Sequence, residues 1–177
     1  FCFFAVANLL FFLNLKLLLN KSAAIIATFL YATSTIHFIS LSWISAGEYI
    51  FGTAFFLASS YCFSLYQKRK RNLFFVFSFL LFLFSLASTE FAIVFPFFII
   101  FISLVSDTSK HKAKEIFLSL KQLFPHVLVI GMYLILRLFV FPLPAKEDYK
   151  IILNSQVINT FTWYILWLFN IPEVLKY

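Results

Sequence analysis

The side chains in this sequence that chemistry could use are few, and most stand at the ends of long apolar runs. His37 and Trp43 close one run, Glu48 opens the next, Glu90 sits in a short polar break, and Glu147 and Asp148 lie in a later polar stretch. Carboxylates near an imidazole are the material of general acid–base catalysis. Arg137 is different, because it lies about 18 Å inside its own run at 1.5 Å per residue. A guanidinium at that depth calls for an acidic partner or a phosphate, either of which it can bind through two oxygens at once. Plainer roles exist for each residue. Glu48 and Glu90 could interact with helix dipoles, His37 could bond a neighbouring helix, Trp43 fits an interfacial aromatic belt, and Arg137 could snorkel to the surface.

Other chemistries have no footing in the sequence. With 3 glycines there is no phosphate-cradling loop and no dinucleotide motif. No serine stands in a nucleophile-elbow context. The 2 cysteines, Cys2 and Cys62, have neither metal-ligand nor redox spacing, so no metal site is expected and no cofactor is indicated. The two thiols are expected at different membrane depths, too far apart to pair.

The elements that must position these residues are set by hydropathy. The 177 residues are 63% hydrophobic and 12% charged, with 28 phenylalanines, and the mean hydropathy is +0.97. A soluble domain is about half apolar and about a quarter charged. The composition therefore excludes a disordered chain, a disulfide scaffold and an ordinary soluble enzyme, and it predicts an integral membrane protein. Seven apolar stretches are expected to span, at 1–19, 23–41, 49–66, 72–88, 91–106, 125–141 and 156–171. Without the alternation of a barrel strand they must be helices, which satisfy their own backbone inside lipid. The prediction is an all-α, multi-pass transmembrane bundle forming a single domain over 1–177. The absence of Met at position 1 suggests a fragment of a longer protein. Between the fifth and sixth spans, Ile116, Phe117, Leu120, Leu123 and Phe124 recur at helical spacing. Segment 109–124 is thus expected as a cytoplasmic, interfacial amphipathic helix.

Alternating spans sort the charge. Eleven of the 14 basic residues fall on one side: Lys16, Lys21, Lys68 to Arg71, Lys110, Lys112, Lys114, Lys121 and Lys176. Lys146 and Lys150 fall on the other. The basic side is cytoplasmic by the positive-inside rule, which puts His37, Trp43, Glu48, Glu90, Glu147 and Asp148 outside. The net charge of +7 is then a topology signal, with attraction to anionic lipid secondary and no nucleic-acid partner implied.

Three segments carry a family resemblance. The stretch from His37 through Trp43-Ile44-Ser45 to Glu48 resembles the H-P-x-H-x-E-x-x-x-W-I-S-G motif of membrane glycosyltransferases of the GT-C class. The likeness is nearest to the O-mannosyltransferase-like proteins that carry transmembrane helices before tetratricopeptide repeats. His37 takes the second histidine position, while Ser34 and Thr35 replace the first histidine and proline and Ile39 the glutamate. Ser88-Thr89-Glu90-Phe91-Ala92-Ile93-Val94-Phe95-Pro96 resembles S-K-E-x-A-I-x-x-P, with Thr89 in place of the lysine. Tyr133-Leu134-Ile135-Leu136-Arg137 is similar to a Y-L-L-L-R helix end, and Ile171-Pro172 to a later helix-end proline.

The resemblance implies a GT-C-like cell-membrane enzyme. It would transfer a sugar from a polyprenyl-phosphate-linked donor to a hydroxyl acceptor at the extracytoplasmic face. His37, Trp43, Glu48 and Glu90 would line the active site, and Arg137 would bind the donor phosphate. The catalytic acid of the class would lie before Phe1, leaving this stretch inactive by itself. The alternatives are a transporter or flippase for a lipid-linked or small solute, or a non-catalytic membrane scaffold, which the replaced motif residues would suit. A transporter would show repeated halves and charges at mid-membrane, and neither is evident here. The expected partners are membrane lipid and the lipid-linked donor.

Overall fold

The computed structural model describes residues 2–34, 37, 41–42, 46–106, 112–140 and 160–162, with side chains omitted at 112–119 and 140. Among these there is no strand. The helices are α1 (Cys2–Leu18), α2 (Lys21–Ala32), α3 (Gly47–Arg69), α4 (Asn72–Ser88), α5 (Phe95–Ser106) and α6 (Lys112–Ile135). A 3-10 turn, Glu90–Val94, leads into α5, and a π-helical turn, Leu136–Val140, extends α6.

Local chemistry sets most boundaries. The Asn20 side chain caps α2 by accepting from the Ala23 N–H at 2.9 Å. α3 stops where Lys70 takes a left-handed φ of 55° and donates its N–H to the Tyr66 carbonyl. Pro96 lies in the first turn of α5, where its missing N–H has no helical partner to lose. Two expectations need correction. The second apolar stretch is not helical to residue 41, because α2 ends at Ala32. There the Thr33 N–H and hydroxyl both donate to the Phe29 carbonyl, at 3.0 and 2.9 Å. Nor is Pro125 a boundary between segment 109–124 and the sixth span. α6 runs through it as one helix, forgoing only the bond to the Lys121 carbonyl. The seventh stretch lies outside the described residues except for 160–162.

α3 is the central element, and α4 packs antiparallel to it along a seam of small residues. Ser59 and Ser78 each donate to the other's carbonyl, at 2.8 and 2.9 Å, and Ser85 donates to the Gly52 carbonyl at 2.9 Å. Seven residues forward on α3 correspond to seven back on α4, so both contacts keep one register. α1 runs parallel to α3. Phe3 meets Phe51 near one end, and Asn14 bonds the Leu57 carbonyl at 2.9 Å while accepting from Ser60, further along. α2 folds back on α1 through Phe11 and Tyr31. α5 and α6 close the far side around Phe63, Phe82, Phe95, Ile99 and Leu123.

The interior holds serines beside its aromatic and aliphatic core, and much of the exterior is apolar. On α4, Ser78 and Ser85 are fully buried, while Leu73, Phe77, Leu80 and Phe84 are 45–64% exposed. A water-soluble helix has the opposite arrangement. Two helical segments, Gly47–Arg69 and Leu120–Phe139, are long and apolar enough to cross a membrane, and the other apolar helices are shorter.

Candidate functional site

The helix directions place the described charges at two ends. Lys16, Lys21, Lys68, Arg69, Lys70, Arg71 and Lys121 fall at the end where α1 and α3 finish. Glu48, Glu90 and Arg137 fall at the other. Between Glu48 and Lys68, and again between Arg71 and Glu90, the hairpin of α3 and α4 has no charged residue. α3 alone is about 34 Å long at 1.5 Å per residue.

The acidic end holds a cleft of about 860 Å³. Glu48 enters it from the first turn of α3, where a carboxylate suits the helix dipole. Glu90 starts the 3-10 turn, and the π-helical turn after α6 presents Arg137. The Arg137 Nε lies 3.0 Å from Glu90 Oε1. Tyr133, one turn earlier on α6, donates its hydroxyl to the same oxygen at 3.4 Å. Glu90 is 60% exposed and Arg137 35%, so the pair stands at the cleft mouth and not in the core. Leu86, Phe91, Ile93 and Val94 form an apolar wall beside this polar group. The cleft therefore has both charged and apolar lining. It suits an amphiphile, and a guanidinium held by a carboxylate can exchange that partner for an incoming phosphate.

Glu48, Glu90 and Arg137 thus share one cleft, but His37 does not join them. It borders a separate cavity of about 40 Å³ with Tyr31, Tyr49 and Thr53. Its Nε2 lies 2.9 Å from the Tyr31 carbonyl, so Nε2 must donate and Nδ1 is the acceptor of the neutral ring. The imidazole packs edge-on against Phe4 and Tyr31. Tyr49 borders both spaces and separates His37 from the cleft. Trp43, Glu147 and Asp148 lie outside the described residues. Among the described residues no three His, Cys, Asp or Glu side chains gather as a metal site. Cys2 and Cys62 are both free thiols.

The residue the sequence reading passed over is His126. It is fully buried, and neither ring nitrogen has a hydrogen-bond partner. Phe95 stacks on it at 5.2 Å, and Phe63, Phe75, Phe79 and Phe82 surround it at 5.1–5.9 Å. One available signal was an ionisable residue inside an apolar run, one position after a proline.

No family model, curated protein or solved structure matches this chain.

Proposed function

We propose that the chain is a multi-pass membrane bundle whose cleft binds the phosphate of a lipid-linked sugar donor at the extracytoplasmic face, for transfer to a hydroxyl acceptor. The Glu90–Arg137 pair, set against an apolar wall in a cleft of about 860 Å³, carries this reading. Inverted burial on α4 and the separation of charge to the two ends support the membrane placement. In the proposed reaction the donor phosphate takes over the Arg137 guanidinium and releases Glu90. A carboxylate acting as general base, which the resemblance places before Phe1, accepts the acceptor's hydroxyl proton. The hydroxyl oxygen bonds the sugar's anomeric carbon, the carbon–oxygen bond to phosphate breaks, and polyprenyl phosphate leaves on Arg137. Guanidinium pairing strengthens as lipid and protein exclude water from the cleft.

A second reading keeps the phosphate site without transfer, as in a flippase or a scaffold. It is favoured by Ser34, Thr35 and Ile39 standing where the resembled motif has histidine, proline and glutamate. One experiment separates these. A radiolabelled polyprenyl-phosphate mannose is offered to the purified chain in nanodiscs, with binding and loss of label to hydroxyl acceptors measured separately. Binding that drops about tenfold or more in Arg137→Ala is expected, given the usual strength of charge-assisted bonds. Equal binding by wild type and a folded Arg137→Ala overturns the phosphate site. Binding without transfer selects the second reading when the protein tested carries the catalytic acid that the resemblance places before Phe1.

A further inference from the structure

At the opposite end from the cleft, we propose that the turn joining α3 to α4 binds the headgroup of an anionic phospholipid. Lys68, Arg69, Lys70 and Arg71 are consecutive, and all four are exposed. Among the described residues none of them is in an ion pair, and the left-handed Lys70 packs the four charges into one tight turn. The Arg69 guanidinium lies 5.7 Å above the Phe74 ring, which holds it beside the start of α4. Directly along α4 from these cations runs an apolar row, with Leu73 64%, Val76 51% and Phe77 50% exposed. A cationic cluster continuous with an apolar row matches a molecule with a phosphate head and acyl tails. Nucleic acid would satisfy the cations but leave the apolar row in water. The four cations are consecutive, and their attraction for an anionic headgroup is screened over roughly 10 Å at ordinary ionic strength. The inference rests on the membrane placement and is independent of sugar transfer.

The test uses the full chain with Trp43, Trp163 and Trp167 changed to Phe and a single reporter, Leu73→Trp, reconstituted in phosphatidylcholine bilayers. Quenching by brominated phosphatidylglycerol is compared with quenching by brominated phosphatidylcholine at equal mole fraction. The anionic lipid is expected to quench about threefold more effectively at 0.1 M salt, with the ratio falling toward one at 1 M. The ratio should also fall toward one in Lys68→Gln/Arg69→Gln/Lys70→Asn/Arg71→Gln, where asparagine tolerates the left-handed position. Arg69→Lys/Arg71→Lys keeps the charge and should keep the preference, which guards against misinsertion of the neutral variant. Equal quenching at low salt, or a preference indifferent to salt, overturns the lipid site alone. Quenching by neither lipid overturns the membrane placement with it. Loss of the preference on adding polyuridylate at matched ionic strength would assign the turn to nucleic acid instead.

Discussion

Gly52 and Thr89 approach so closely that a methyl group on Gly52 would stand 2.5 Å from the Thr89 side chain. This contact ties the α3–α4 seam to the cleft, because Thr89 directly precedes Glu90. Gly52→Ala is therefore expected to destabilise the bundle by about 1–3 kcal/mol, the usual cost of overpacking. Thr89→Ala should recover much of that loss in the double variant. Thermal unfolding in a neutral detergent measures both. Additive losses would show that the two positions do not oppose one another.

Glu90 and the donor phosphate compete for one guanidinium in the proposed reaction. Glu90→Gln should then tighten donor binding, about tenfold for the removal of one nearby like charge and one competitor. Weaker donor binding in Glu90→Gln would mean that Glu90 orients Arg137 and does not compete with the ligand.

His126 occupies a box of phenylalanines in which its nitrogens bond nothing. Replacing an unsatisfied buried polar group with an apolar one of similar shape removes a cost of about 1–3 kcal/mol. His126→Phe is accordingly expected to raise the unfolding temperature. His126→Ala should lower it, by a cavity cost of about 3 kcal/mol. A drop in stability for His126→Phe would show that the ring nitrogens have a partner in the membrane.

Ser59 and Ser78 form a reciprocal pair inside the seam. Interhelical hydrogen bonds in membrane proteins average about 0.6 kcal/mol, so Ser59→Ala and Ser78→Ala should each cost little. Ser78→Leu should cost several times more, because it forces the helices apart. A double-mutant cycle on the alanine variants is expected to give a positive coupling energy, and no coupling would deny the pair a joint role.

Glu48 and Lys70 lie at opposite ends of the α3 span. With Cys2 and Cys62 replaced, an impermeant thiol reagent applied to intact cells should label Glu48→Cys and spare Lys70→Cys. The reverse pattern inverts the orientation, and labelling of both removes the membrane span.

Levels along the helix axes were legible in the sequence, while positions around those axes were not. The bounds of α4 and the gathering of Glu48, Glu90 and Arg137 at one end follow from apolar run length and loop charge. That Tyr49 stands between His37 and the cleft depends on lateral packing, which hydropathy does not encode. α2 ends at Ala32, and hydropathy continues unchanged past it. His126 stands away from the span ends, where chemistry meets water, and its burial emerges only when α3, α4 and α5 converge on it.

The π-helical turn at Leu136–Val140 has a consequence for how the cleft can vary. Such a turn holds one residue more than an α-helical turn, and one residue corresponds to about 100° of rotation. The aim of Arg137 at Glu90 is thus written in backbone register as well as in a side-chain torsion. Deleting Leu136 would turn Arg137 by about 100° away from Glu90 while leaving hydrophobicity and length nearly untouched. The cleft can be made or unmade by a change that no hydropathy profile would register.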